Sequence, residues 1–216
     1  MPTQTFFNLP EEKRRRIMEA AIKEFSEYPF EQANITRIIE EAKIPRGSFY
    51  QYFENLKDLY KYTMDVAVDL KIKYFGEKVL GFQGEGFDFF TTLRHLFLVS
   101  LDFAREYPEL LALGNLLIKE KTELQAEVMK DQNLKTENVY GEMLQKGVAL
   151  GQLNPQVDPT AALLFMQALN HAFTDYYIAM TKNGTVPLDE VHFMKFIDNI
   201  LEILANGLGN SGGGVS

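Results

Sequence analysis

Apolar residues return every three or four positions along almost the whole chain, and no segment alternates with a period of two. A chain patterned this way buries its apolar groups along helix faces and offers no strand face from which to build a sheet. The expectation is an all-α protein of about nine helices. Its 216 residues can bury a core without metal or disulfide staples. There is no cysteine, which excludes disulfide frameworks, thiolate zinc sites, iron–sulfur clusters and cysteine nucleophiles.

The first helix is expected from Leu9 to Tyr28, with Pro10 in its first turn, Glu11 and Glu12 at the favourable N-terminal end, and Ile17, Ala20, Ala21, Phe25 and Tyr28 on one face. Its basic run, Lys13–Arg16, reads either as a solvated turn or as a phosphate-facing one. Asn34 is a good N-cap for a short second helix bearing Ile35, Ile38, Ile39 and Ala42. Lys43-Ile44-Pro45 interrupts it, and a third short helix runs from about Arg46 to Phe53. Two short amphipathic helices across a tight turn, with a preceding helix as a third wall, have the arithmetic of a helix-turn-helix. Phe49 and Phe53 would join Ile17, Ala21 and Phe25 in a small core, leaving Arg46, Ser48, Tyr50, Gln51 and Tyr52 outward. That outward set has donors, acceptors and hydroxyls and no carboxylate, as a helix entering the major groove requires.

At these residues the chain resembles the TetR family of bacterial transcriptional regulators. The resemblance lies in Glu11–Phe25, in Ile38 and Ala42, in Pro45-Arg46-Gly47-Ser48-Phe49-Tyr50-Gln51-Tyr52-Phe53, and in Asn55 and Asp58-Leu59, and it covers about residues 11–71. It implies that Arg46, Gly47, Tyr50 and Gln51 meet bases and backbone, with Ser48 on the same helix, and that Tyr52 meets phosphate. It also implies that Asn34, Thr36 and Arg37 open a helix whose N-terminus approaches the phosphate backbone. Packing alone is the competing reading of Tyr50 and Tyr52. The chain departs from the family pattern at three places. Lys43 stands where glycine is usual, so a left-handed turn there costs on the order of 1 kcal/mol. Pro45 replaces a capping serine or threonine, and Leu56 replaces a lysine, leaving Lys57 one residue on as the phosphate contact.

Beyond this head the sequence predicts a long helix from Leu56 to Val79, a glycine-containing loop over 76–86, an aromatic-rich helix over 87–107 and a short helix over 109–118. A charged, exposed helical or looped stretch follows over 119–135, then helices over 137–149, from Pro159 to about Met180, and from Pro187 to about Ala205. The turn Gly151-Gln152-Leu153-Asn154-Pro155-Gln156-Val157-Asp158-Pro159 also follows the family, with Asp158 as N-cap and Pro159 at the first helical position. The domain reading is 1–55 for the helix-turn-helix head, 56–206 for a ligand-binding and dimerising body, and 207–216 for a glycine-rich disordered tail. The last two helices are apolar enough to pair with a second copy, as the resemblance implies: Ala161–Phe173 almost all round, and Phe193, Ile197, Ile200, Leu201 and Leu204 as a stripe.

Aromatic stripes are more often core than pocket, yet polar residues interleave here, as a small-molecule site requires. The candidate ligand-binding set is Arg94, His95, Phe97, Phe103, Phe165, Met166, Asn170, His171, Phe173 and Tyr177. His95 alone reads as a hydrogen-bonded histidine. His171 and Asp175 are four apart on one helix but lack a third ligand at sensible spacing, so no metal and no cofactor is expected.

Residues 1–61 hold ten basic and ten acidic groups, so the whole net charge of −8 lies beyond them. An acidic body does not bind nucleic acid over its whole surface, and a neutral head remains free to do so locally. Basic residues follow the only apolar pair near the N-terminus, and no apolar run reaches 18 residues, so neither a signal peptide nor a membrane span is expected and the location is read as cytoplasmic. No catalytic constellation is present. The resulting expectation is a cytoplasmic, homodimeric, DNA-binding regulator, a repressor acting on a palindromic double-stranded operator. Its affinity would be set by a small, mainly hydrophobic effector. The alternative is a helical interaction protein with a degenerate DNA-binding head.

Overall fold

The computed structural model describes residues 1–79, 86–119, 122–181 and 190–208. Among them every regular element is helical: α1 (Gln4–Phe7), α2 (Glu11–Glu27), α3 (Ile35–Glu41), α4 (Arg46–Tyr52), α5 (Leu56–Val79), α6 (Phe89–Glu106), α7 (Pro108–Lys119), α8 (Glu123–Ala149), α9 (Pro159–Thr181) and α10 (Glu190–Leu208), with a 3₁₀ turn at Phe30–Gln32. The chain forms two compact units, one of Met1–Lys73 and Glu106–Gln132, the other of Tyr74–Arg105 and Asn133–Ser216.

The first unit is built on the core read from the sequence. Ile17, Ala20, Ala21 and Phe25 of α2 meet Ile38 and Ile39 of α3, Phe49 of α4, and Ala42, Ile44 and Phe53 beside them, all buried. Leu59, Tyr60 and Met64 of α5, Leu113 and Leu117 of α7, and Val128 of α8 close it. Pro10 lies just before α2 as its N-cap rather than inside its first turn. Tyr28 is extended and ends that helix, as a residue before proline tends to be.

α3 ends in a Schellman cap. The Lys43 amide donates to Glu40 O (3.2 Å) and the Ile44 amide to Ile39 O (3.0 Å), and Lys43 sits at φ 54°. The left-handed turn is thus retained with a lysine in the glycine position. α8 ends in the same motif, with Gly151 at φ 70°, its amide donating to Val148 O (3.0 Å) and that of Gln152 to Gly147 O (2.9 Å).

Of the two forms read for 119–135, helical or looped, the described part from Glu123 is helical, but it is not separate from the helix after it: it opens one 27-residue helix, α8. α1 is a helix that the apolar period does not reveal. The loop positions 80–85, the start of the last helix at Pro187 and the tail positions 209–216 lie outside the described residues.

The second unit has its own core. Phe97 of α6 stacks on Phe173 of α9 (centroids 4.5 Å, planes 10° apart), and Phe193 of α10 meets Phe173 edge-on at 5.1 Å. Ile197, Leu201 and Leu204 of α10 are buried with them. A side chain at Gly147 would strike Leu153 and Phe89 at 2.9–3.2 Å, so α8, α6 and the turn after α8 approach closely there. Asp158 caps α9 by accepting from the Ala161 amide (2.8 Å), with Pro159 its first residue.

Candidate nucleic-acid interface and apolar cavity

α4 is seven residues long and presents one face to the core and one to solvent. Phe49 is buried, whereas Arg46, Gly47, Tyr50 and Gln51 are exposed and Ser48 is half-buried. Tyr50 is 51% exposed, with its ring edge against Phe49 at 5.2 Å. Pro45 supplies no side-chain cap, but its carbonyl accepts from the Ser48 amide (2.9 Å). Arg46 Nη1 donates to Thr36 Oγ1 (3.3 Å), linking the first turns of α4 and α3. The exposed face carries hydrogen-bonding groups and no carboxylate, so it suits base edges and phosphates together.

Three of the candidate residues have other work. Tyr52 is only 3% exposed, not outward-facing. It lies against Phe6 (6.3 Å between rings) with Lys13 Nζ 5.5 Å from its centroid, because α1 folds over the end of α4. The Arg37 guanidinium is engaged within the chain. Its Nε donates to both oxygens of Glu24 (3.0 and 2.9 Å), Nη2 also bonds Glu24 and donates to Gln32 O (2.8 Å), and the guanidinium lies 4.0 Å above the Tyr28 ring. Glu24 is 5% exposed and also accepts from the Asn34 amide (2.7 Å), so a buried carboxylate needs this arginine. The Glu24 hydrogen bond raises the Arg37 pKa above its usual value. Lys57, third of the three, is engaged by Glu127 at 3.0 Å. Asn34 is the N-cap expected of it, its Oδ1 accepting from the Thr36 amide (2.8 Å).

The sequence reading missed the N-terminal segment. The Thr3 amide donates to Tyr52 O (2.9 Å) and its hydroxyl to Gln51 O (2.6 Å), satisfying carbonyls at the end of α4. Phe6 is buried among Phe53, Tyr62 and Tyr52. The one signal for it in the sequence is the isolated Phe6-Phe7 pair in a polar stretch. The basic run of α2 serves this corner too: Arg14 Nη1 donates to Phe7 O (2.6 Å), and Arg15 pairs with Glu19 (2.7 Å).

In the second unit, Phe97, Phe103, Met166 and Phe173 are buried core residues. Arg94 pairs with Asp198 (2.7 Å), which raises its pKa. His95 Nε2 lies 3.1 Å from Lys78 O. Tyr177 is half-buried against Phe193, and Phe165 is 49% exposed. The Asn170 and His171 side chains lie outside the described residues. A cavity of about 480 Å³ opens elsewhere, between the end of α8, the turn after it and the start of α9. Leu144, Val148, Leu153, Val157, Ala162 and Leu163 form its apolar walls and Gln145, Asn154 and Thr160 are its polar points; among the described residues no charged side chain lines it, and neither does any of the eight candidates whose side chains are described. Its turn is held in place by Gln152, which accepts from the Phe89 amide (2.8 Å) and donates to Phe87 O (2.9 Å).

Residues 17–63 match the family model for bacterial regulatory proteins of the tetR family. Residues 87–209 match the model for the tetracyclin repressor-like C-terminal domain. The HTH-type transcriptional regulator HbdR of Aromatoleum sp. is 39% identical over 61 residues, which cover 28% of this chain and 27% of that protein. RutR of Escherichia coli K12, also an HTH-type transcriptional regulator, is 23% identical over 206 residues, covering 91% and 90%. A TetR family transcriptional regulator from Chloroflexus aurantiacus has a solved structure that superposes with a TM-score of 0.71 at 30% identity, covering 97% of this chain and 99% of that one. FadR of Bacillus subtilis, solved in complex with stearoyl-CoA, shares the fold at 16% identity, with a TM-score of 0.72 over 90% of this chain and 98% of that one.

Proposed function

This chain belongs to the TetR family of DNA-binding transcriptional regulators, and we propose that it is a homodimeric repressor released from its operator by a small, neutral, mainly apolar effector. The observation that carries the DNA reading is the solvent-facing, carboxylate-free row Arg46, Gly47, Tyr50 and Gln51 on α4. Arg46 and Gln51 read base edges, and Tyr50 and the half-buried Ser48 hydroxyl contact the backbone. Asn34 and Thr36 shape the N-terminus of α3, where free amides favour a phosphate. Two copies of α4, held 34–36 Å apart in a dimer, reach successive major grooves of a palindrome.

The dimer reading is supported by apolar side chains left in water on the last two helices. Leu164 (66% exposed) and Phe165 (49%) lie on α9, and Val191 (67%) and Ile203 (70%) on α10. Large exposed apolar groups on adjacent elements mark an interaction surface. The effector reading is supported by the uncharged apolar cavity, whose volume falls in the range of small-molecule sites. FadR of Bacillus subtilis, similar in fold, was solved with stearoyl-CoA, whose long acyl chain is apolar although its CoA part is anionic, so it supports the apolar character of the effector and not its neutrality. Binding that favours one of two dimer states alters the spacing of the α4 pair, and a spacing off the helical repeat costs one half-site its contacts.

The experiment is a gel-shift selection against fragments of the source genome, followed by the selected duplex with a thermal-shift panel of compounds. Sequence-selective retention that Arg46→Ala and Tyr50→Ala both weaken, reversed by apolar compounds that stabilise the protein, is the expected result. Unchanged retention in both variants places the reading surface elsewhere. Release by highly polar compounds alone refutes the effector class.

A further inference from the structure

Lys57 and Lys61 lie four apart on α5, so they share a face of the helix that starts just after α4. Glu127 of α8 sits between them. Its Oε2 is 3.0 Å from Lys57 Nζ, and its Oε1 takes the Lys61 ammonium. Each carboxylate oxygen therefore holds one lysine, which is the arrangement the two free oxygens of a phosphodiester would make with the same pair. All three side chains remain open to water, 51% for Lys57, 33% for Lys61 and 46% for Glu127. Pairs so exposed are weak and exchangeable. Hydrogen bonds from Lys61 and Lys57 hold the Glu127 carboxyl below its usual pKa, so it is an anion throughout the neutral range.

We propose that Lys57 and Lys61 form a two-point phosphate clamp for duplex DNA, and that Glu127 occupies it in the free protein as an internal stand-in for the phosphate. The inference rests on the DNA-binding reading above and adds two things to it: a second lysine, and a carboxylate that must leave before the clamp can work. Glu127 thereby lowers affinity for any duplex, irrespective of sequence. The same factor applies to operator and random duplex, so the stand-in sets the overall affinity and its salt dependence and not the ratio between sites. At the operator the base contacts of α4 supply the free energy that offsets the penalty.

The test uses the full-length protein and a 30-base-pair duplex of random sequence, with affinity measured from 50 to 200 mM salt. Glu127→Gln is expected to raise affinity about three- to tenfold at the lowest salt, since the clamp is then free. Lys57→Gln with Lys61→Gln is expected to lower the log–log salt slope by about 1.8, near 0.9 for each phosphate no longer neutralised. Adding Glu127→Gln to that double variant is expected to change nothing. Glu109→Gln, an exposed carboxylate of α7, is the control for net charge. The proposal is overturned if Glu127→Gln matches Glu109→Gln, if its gain persists without the two lysines, or if removing the lysines leaves the slope unchanged. Failure of the interface reading is separately visible, since Arg46→Ala and Tyr50→Ala would then leave duplex binding intact.

Discussion

Lys43 and Gly151 occupy the same position in two identical helix caps, at φ 54° and 70°. Only the glycine is unstrained there, since a Cβ in the left-handed region costs on the order of 1–2 kcal/mol. Lys43→Gly is therefore expected to raise unfolding free energy by about 1 kcal/mol, less whatever the glycine adds to unfolded-chain entropy. Urea denaturation measures it, and a loss of stability would mean that the lysine side chain makes interactions outweighing its backbone strain. Arg37 gives the contrasting case. Removing it leaves Glu24 buried with only the Asn34 amide as partner. Breaking such a pair leaves a buried charge uncompensated, so Arg37→Ala should lower the urea midpoint, by less than the loss of a fully buried pair because Arg37 is 41% exposed. It should leave the salt slope of duplex binding unchanged, whereas loss of a phosphate partner would lower it by about 0.9. Both residues can be placed on their elements from sequence. That Arg37 faces a carboxylate ten or more positions away cannot, because position along the helix fixes the face and not the partner.

The elements that sequence resolves best are those whose apolar period closes a core. α2, α3 and α4 carry Ile17, Phe25, Ile38 and Phe49 at helical spacing, with Phe53 just past the end of α4, and each of these is buried. The opening of α8 is obscured by its charge. Glu, Lys and Gln there are good helix formers, and only Leu124, Val128 and Met129 mark the inward side. α1 is illegible for another reason: four residues carry no period, and its burial is decided by Tyr52, Phe53 and Tyr62, far along the chain. Phe6→Ala tests its weight. Truncating a fully buried phenylalanine costs about 3–5 kcal/mol, and here the loss should fall at the low end because α1 lies at the edge of the core. Equilibrium unfolding checks this, and a change under about 1 kcal/mol would show α1 to be dispensable packing.

Across the whole molecule the sequence points to the elements that would meet a second copy and not to the faces. Of the stripe Phe193, Ile197, Ile200, Leu201 and Leu204, expected from sequence to serve a partner, all but the half-buried Ile200 are buried within the chain's own core. Among the described residues of α9 and α10, the large apolar groups in water are Leu164, Phe165, Met180, Val191 and Ile203. A helix buried on two sides shows one continuous apolar pattern, so periodicity cannot divide it between inner and outer partners. The two kinds of position should separate in sedimentation. Phe165→Asp and Ile203→Asp should yield folded monomers with weakened operator binding, while Ile197→Asp, at 0% exposure, should fail to fold. A wild-type monomer at micromolar concentration would remove the proposed interface. The cavity is equally hidden, because its walls come from two helices and a turn, and aliphatic residues on them look like any core.

The fastening of α4 has a further consequence. Its start is bound to α3 through Arg46 and Thr36, its last carbonyls are taken by Thr3, and Phe49 is locked beneath it. On the proposed role of α4, a reading head fixed at both ends is restrained from tilting or sliding to make the best of an imperfect site. Each wrong base pair then registers in full, at about 1–3 kcal/mol, and its neighbours cannot shift to soften the loss. Such stiffness trades breadth of sites for sharpness, so single-base changes in the half-site should reduce binding steeply and almost independently of one another.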